Sequence, residues 1–185
     1  MSNKKLFRWA IVTPLTIAAL GLTGCASPAN RESMSITSFT TTKHFDKTIK
    51  VGVFGGSDTG AMESTNISDA EFKASIEDAI NKSKLFKEVS KDSISDFDLQ
   101  INISSLSKPS FGFTFEVGME AGWILYKTSD KSVVMKKSIK STGRANTSDS
   151  LIGVIRIRMA VERAAQNNIA QGLGAIAEVR DKNLQ

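Results

Sequence analysis

Glu116 and Glu120 are the carboxylates whose spacing comes nearest to acid–base chemistry in this sequence. Both belong to a stretch in which apolar and polar residues alternate, so they share one face of a predicted strand. Four residues along a strand span about 13 Å, which is wider than the spacing of paired carboxylates in glycosidases. We therefore interpret them as solvated side chains. Because the other residues on this face between positions 112 and 122 are glycines and a threonine, another chain could approach it closely, which makes it a candidate partner-binding surface.

Arg156 and Arg158 form a second candidate surface for a partner, on a helix predicted near the C-terminal end of the chain. Arg158 lies four residues before Glu162, a spacing at which opposite charges pair along one helix face. The arginines could belong to an ordinary solvated helix surface, or they could contact an acidic partner. The sequence leaves both interpretations open.

Other residue types that support catalysis or cofactor binding are sparse. His44 is the only histidine and lies in a polar segment, so no histidine cluster supports a metal site or a catalytic triad. The glycine-rich loop at residues 55–60 follows a predicted strand and precedes a predicted helix. Its glycine spacing matches neither the dinucleotide-binding pattern nor the P-loop pattern. We expect a non-enzymatic protein with no catalytic residue, no cofactor and no metal.

Cys25, the only cysteine, follows a basic start, an apolar run and several small residues, which is the order of a secretory signal peptide. The apolar run is too short to predict a membrane span. The stretch Leu22 to Cys25, "LTGC", resembles the lipobox of bacterial lipoproteins. That resemblance implies cleavage between Gly24 and Cys25 and acylation of the cysteine. It also implies transport to the outer membrane, because Ala26 rather than aspartate follows the cysteine. A buried or free thiol is the alternative interpretation.

Removal of residues 1–24 takes away three basic side chains and no acidic one, which lowers the formal charge from +5 to +2. That balance argues against a nucleic-acid partner. Residues 26–44 are rich in serine and threonine and have little hydrophobic period. We predict a flexible tether over residues 25–45, including the lipidated cysteine, and a single domain over residues 46–185.

Hydrophobic periodicity predicts an α+β domain with the element order β-α-β-β-β-α. Ser68 and Glu71 fit a capping box at the start of the first helix, and Leu85 and Phe86 would close its end against the core. Ser148 or Asp149 would cap the second helix. We expect a mixed, mostly antiparallel sheet of about four strands, with both helices packed on one face.

Phe111, Phe113 and Phe115 alternate with polar residues and predict the beginning of a long strand that extends to residue 125. Aromatic residues at alternate positions belong more often to a core than to a ligand site. They nevertheless support an alternative function, in which an apolar pocket near these residues serves a carrier or hydrolase of an envelope lipid or glycan.

A pattern of core residues extends over most of residues 49–178. It comprises Phe72 to Ile76, Leu85 and Phe86, Asp96 to Ile103, Gly112 to Tyr126, and Arg158 to Ile169. The pattern resembles that of small outer-membrane lipoproteins of Gram-negative bacteria, most of them of unassigned function. Its layout is also similar to penicillin-binding-protein activators, curli-export lipoproteins and transport-associated auxiliary lipoproteins.

These resemblances imply a lipid-anchored module that faces the periplasm, attaches to the membrane through acyl chains on Cys25, and binds an envelope protein. They carry over no catalytic residue. The likeness to curli-export lipoproteins also allows a subunit of an oligomeric envelope assembly, and the sequence leaves the oligomeric state open.

Overall fold

The computed structural model of the chain describes residues 26–36, 39–60, 64–91 and 94–180. Within these residues the chain forms three helices and five strands. The helices are α1 (Arg31–Met34), α2 (Asp69–Ser83) and α3 (Gly153–Ala177), and the strands are β1 (Phe45–Phe54), β2 (Phe86–Val89), β3 (Phe97–Ser107), β4 (Phe115–Lys127) and β5 (Val133–Ala145). Gly24 and Cys25, the predicted cleavage and lipidation positions, lie outside the described residues.

The strands form one mixed sheet in the order β2-β1-β3-β4-β5. β1 is parallel to both of its neighbours, whereas β3, β4 and β5 form an antiparallel meander. The α+β class is confirmed, but the sheet has five strands rather than four. The additional strand is β2, whose first residue, Phe86, we had placed at the end of the preceding helix.

Alternation along the strands gives the sheet one apolar face and one polar face. α2 packs on β1 and β2, and α3 packs on β4 and β5, so both long helices cover the same face as predicted. Trp123 of β4 lies at the centre of this core and donates a hydrogen bond from Nε1 to Oδ1 of Asn168 over 2.9 Å. The opposite face of the sheet is not covered by any described element.

Ser68 caps α2 as predicted, because the Glu71 amide donates to Oγ of Ser68 over 3.3 Å. The second bond of the capping box is replaced, because the Glu71 carboxylate accepts from the backbone amide of Arg31 over 2.7 Å. The prediction for α3 is wrong. Its N-cap is Ile152, which makes no side-chain capping bond, and neither Ser148 nor Asp149 caps it. Asp149 instead accepts from the backbone amide of Asn146 within a turn that precedes the helix.

β4 begins four residues later than predicted. Phe115 is buried as its first residue, whereas Phe111 and Phe113 lie in the loop between β3 and β4 with their side chains exposed. Gly112 has a φ of +143°, a conformation that L-amino acids rarely adopt, and this breaks the alternation that the sequence suggests.

Residues 26–36, which we predicted to belong to a flexible tether, are packed against α2 and α3. Ala29, Met34 and Ile36 are buried, and α1 contacts both long helices. Arg31 pairs with Asp78 of α2 through two hydrogen bonds, and this contact lowers the pKa of the Asp78 carboxyl. No helix within the described residues is long and apolar enough to cross a membrane.

Candidate functional site

The N-terminal segment is held at the edge of the sheet where β3 ends and β4 begins. The Thr65 hydroxyl donates to the carbonyl oxygen of Ser27 over 2.9 Å, and the Ala29 amide donates to that of Asn66 over 3.3 Å. Lys108, directly after β3, donates from Nζ to the Thr65 carbonyl over 3.0 Å. The first described residues are therefore linked, through one short segment, to the loop between β3 and β4.

Two loops at this edge carry large apolar side chains that face solvent. We call these residues the apolar tip. The apolar tip consists of Phe111 (88% exposed), Phe113 (83%), Leu151 (86%), Ile152 (57%) and Val154 (40%). The two phenylalanines belong to the loop between β3 and β4, and the aliphatic residues belong to the loop and first turn at the start of α3. Residues distant in sequence thus form one exposed apolar surface.

Arg156 holds the two loops of the apolar tip together. Its guanidinium donates to the carbonyl oxygens of Ser150 and Leu151 over 2.9 and 3.0 Å, and to that of Gly112 over 3.4 Å. The guanidinium also lies over the Phe115 ring, 5.3 Å from its centroid, in a cation–π contact. Arg156 is buried and positions the loops from inside, which differs from both interpretations that the sequence left open, a solvated helix surface and a contact with an acidic partner.

An open groove of about 590 Å³ lies beside the apolar tip. Its walls come from the segment at Ser64, from Lys108 and Pro109, and from the start of α3 at Val154 and Ile157. Phe115 contributes to its floor, but Phe111 and Phe113 do not line it. The three phenylalanines therefore do not form the enclosed apolar pocket that the carrier or hydrolase interpretation requires.

Glu116 and Glu120 lie on the uncovered face of the sheet, where the sequence placed them. Each faces a basic residue of β5: Oε2 of Glu116 lies 3.1 Å from Nε of Arg144, and Oε2 of Glu120 lies 3.7 Å from Nζ of Lys140. Glu120 also accepts a hydrogen bond from the Ser138 hydroxyl over 2.7 Å. Both carboxylates are thus paired with cross-strand cations.

Arg158 is paired within its own helix, with Nε 3.8 Å from Oε1 of Glu162. Glu162 is buried, and its desolvation raises the pKa of its carboxyl. The same carboxylate accepts from the Asn30 amide over 3.4 Å. Glu162 therefore joins the N-terminal segment to α3, and Arg158 pairs with this carboxylate instead of forming a surface with Arg156.

The glycine-rich loop that follows β1 uses its backbone amides internally. The Gly56 amide donates to Oδ1 of Asp69 over 2.7 Å, and the Ser57 amide donates to the carbonyl oxygen of Ile67 over 3.0 Å. A Cβ at Gly56 would lie 2.5 Å from that same carbonyl oxygen, so the backbone is closely packed there. The carboxylate of Asp69 at the start of α2 would also repel a phosphate.

The lone histidine lies at the surface and does not meet other possible ligands. Nδ1 of His44 is 2.7 Å from the carbonyl oxygen of Lys84. Among the described residues, no group of three or more histidine, cysteine, aspartate or glutamate side chains is arranged to hold a metal ion.

The sequence did not identify the components of the apolar tip outside the phenylalanines. Leu151 and Ile152 stand between a polar turn and Gly153, and we had included them in the second helix. The useful signal was the adjacent apolar pair directly before a glycine, since such a pair on a loop has no strand or helix face to bury it. Lys108 and Thr65 carry no comparable signal, because their contacts join segments more than 40 residues apart.

No protein-family model and no curated protein matches this sequence. Solved structures match by fold. Protein XCC0632 from Xanthomonas campestris, of the family DUF330, has a TM-score of 0.54 and 13% sequence identity, over 77% of this chain and 90% of that one. A candidate lipoprotein from Caulobacter crescentus has a TM-score of 0.44 and 12% identity, over 70% and 84% of the two chains. A minor lipoprotein from Acinetobacter baumannii has a TM-score of 0.41 and 6% identity, over 69% and 93%.

At 13% identity, the likeness to XCC0632 shows a shared fold and nothing about activity. The names of the other two neighbours call those proteins lipoproteins. The names of the three proteins compared above state no catalytic activity.

Proposed function

We propose that this protein is a lipid-anchored, non-catalytic lipoprotein of the Gram-negative outer membrane. Its domain faces the periplasm and acts as a binding or accessory module for another envelope protein. The anchor is an acylated Cys25, exposed as the new N-terminus after cleavage of residues 1–24.

The observation that carries this proposal is the continuity between the lipobox-like stretch and the folded domain. Packing begins at once after Cys25: Ser27 is hydrogen-bonded to Thr65, and Ala29 is buried. Cleavage before Cys25 would therefore place the new N-terminus only two residues before Ser27, which is already bonded to the domain. The lipid would then hold the domain close to the membrane, because no long spacer separates them.

The arrangement of charged residues supports a non-catalytic role. Glu116 and Glu120 are each paired with a cation on the neighbouring strand, and four residues along a strand, about 13 Å, is wider than the spacing of paired catalytic carboxylates. The guanidinium of Arg156 is directed to loop carbonyls. The uncovered sheet face, which carries the two glutamates, is the surface we assign to the partner protein.

Replacement of the cysteine tests the anchor. We expect Cys25→Ser to abolish acylation, measured as the intact mass of the purified protein, and to remove the mature form from the outer-membrane fraction. Ala26→Ser is the matched control, because it keeps the cysteine and adds only a hydroxyl at the next position. If the Cys25→Ser protein still fractionates in its mature form with the outer membrane, the lipid anchor is refuted.

Photo-crosslinking tests the partner. A photoreactive residue in place of Thr142, which is exposed on the uncovered face, is expected to capture one defined envelope protein in cells. The same residue in place of Ile94, at the opposite end of the sheet, is the control. Equal capture from both positions, or capture of no protein from Thr142, would contradict the assignment of this face.

A further inference from the structure

The apolar tip is an exposed surface of apolar side chains, which are more stable in contact with an apolar environment than with water. Isolated exposed hydrophobic side chains are common, but a contiguous group marks a contact with a protein or a membrane. Phe111, Phe113 and Leu151 are each more than four-fifths exposed, and they project from two loops that the Arg156 guanidinium joins. Projecting aromatic and aliphatic side chains are suited to insertion between lipid headgroups.

The path of the chain brings the anchor position to this same edge. Ser27 accepts from the hydroxyl of Thr65, and the carbonyl of Thr65 accepts from Lys108, which begins the loop that carries both phenylalanines. Consecutive Cα atoms are 3.8 Å apart, so Cys25 is attached within about 8 Å of Ser27. Acyl chains on Cys25 would therefore enter a bilayer beside the apolar tip.

The charges of the two loops also favour a lipid surface. Residues 108–114 contain one ionisable side chain, that of Lys108, and residues 146–154 contain one, that of Asp149. Both oxygens of Asp149 accept from the guanidinium of Arg163, over 2.8 and 3.1 Å, so its charge is compensated. No uncompensated carboxylate within these loops would therefore repel anionic phospholipids.

We propose that the apolar tip inserts into the surface of the bilayer that holds the acyl chains on Cys25, an inference that rests on the lipid anchor proposed above. The lipid and the tip then form two attachment points at one edge of the sheet. Arg156 contributes by holding both loops in the inserting arrangement. With this edge at the membrane, the turn between β4 and β5 points away from it, and the uncovered sheet face stands upright, open to a partner from the side.

Depth-dependent fluorescence quenching in the full-length lipoprotein tests this inference. Phe113→Trp and Leu151→Trp place a reporter on each loop of the tip, and Ile94→Trp, 87% exposed at the opposite end of the sheet, is the matched control. The buried Trp123 contributes the same background to all three. Each variant is produced in cells, purified in detergent and reconstituted into phosphatidylethanolamine–phosphatidylglycerol vesicles that contain lipids brominated near the top of the acyl chain.

We expect brominated lipid to quench the two tip variants more strongly than the Ile94→Trp control, by a factor of about two or more, because only inserted side chains meet the upper acyl region. Equal quenching of all three variants overturns the inference. Emission of the tip variants that shifts to the blue with protein concentration, without quenching by brominated lipid, also overturns it and assigns the tip to a second copy of the chain.

The intact mass of each preparation separates this inference from the anchor on which it rests. An acylated protein whose tip variants are not quenched retains the anchor and refutes insertion of the tip. A protein without acyl groups whose tip variants are quenched on added vesicles refutes the anchor and retains the membrane-binding tip.

Discussion

Gly143 of β5 lies where α3 approaches the sheet most closely, and its replacement by alanine tests the described packing. A Cβ at this position would lie 2.1 Å from the carbonyl oxygen of Ala160 and 2.2 Å from the amide nitrogen of Ala164. Both atoms belong to the helix backbone, so no side-chain rotation can relieve the contact. The helix must move away by more than about 1 Å to restore an ordinary van der Waals separation, and a gap of that size forfeits up to about half of the dispersion energy of the atoms it separates.

Such a displacement weakens the polar contacts that join α3 to the sheet. The Ser141 hydroxyl donates to the carbonyl oxygen of Ala164 over 2.9 Å, and Nδ2 of Asn168 donates to the carbonyl oxygen of Ile139 over 3.1 Å. Overpacking of a core costs 1–3 kcal/mol in general, and we expect Gly143→Ala to lower the free energy of unfolding by about 3 kcal/mol or more. That is a large part of the 5–15 kcal/mol typical of a domain.

Gly122→Ala is the matched control for this measurement. Gly122 lies on β4, on the uncovered face of the sheet, where a Cβ would meet no atom within 4 Å. Neither glycine has a positive φ, so alanine is compatible with both backbones, and we expect Gly122→Ala to change stability by less than about 0.5 kcal/mol. Urea denaturation followed by Trp123 fluorescence gives both values. Equal urea midpoints for the two variants would refute the close packing of α3 on β5.

Two further predictions concern the apolar tip and the turn before α3. Arg156→Met keeps the apolar stem of the side chain but loses the hydrogen bonds to three loop carbonyls. We therefore expect the free energy of unfolding to fall by about 2–4 kcal/mol, and amide hydrogen exchange to become faster at residues 108–114 and 148–152. Unchanged exchange at these residues would contradict the role of this guanidinium. Asp149, hydrogen-bonded to Arg163, has its pKa lowered to about 2, so the stability it contributes is present above its unfolded pKa near 3.8 and is lost as the pH falls through about 2. Asp149→Asn is therefore expected to be less stable than the unsubstituted protein at neutral pH and to lose that difference in acid. A difference that stays constant from pH 6 to pH 2 would show that the ion pair does not contribute.

The class of the fold could be predicted because its longer elements have clear periodicity. The apolar positions of β3 and β4 alternate over many residues, and the buried stripe of α2 recurs at helical spacing, so both patterns are local properties of the sequence. β2 could not be found in this way, since a strand of four residues holds too few alternations. Its pairing with β1 depends on the turn in which α2 ends, where Lys84 adopts a positive φ.

The packed N-terminal segment could not be predicted, because its burial is a tertiary effect. Residues 26–36 are polar on average and have no clear period, yet Met34 is fully buried between the two long helices. Glu162 and Arg156 give a similar lesson for α3. Charged residues in a helix are usually solvated. Glu162 instead binds the N-terminal segment and Arg156 binds loop carbonyls, and neither contact can be inferred from helical spacing.

The position of the apolar tip follows from the directions of the strands. β1 and β3 are parallel, so the segment after β1 and the loop after β3 leave the sheet at the same edge. β4 begins at that edge and β5 returns to it, which also brings the start of α3 there. The segment after β1 holds Ser27, while the loops after β3 and β5 carry the exposed apolar residues. The strand directions therefore place Ser27 at the same edge as the apolar tip, and a sheet with β1 reversed would separate Ser27 from the tip by the full length of a strand.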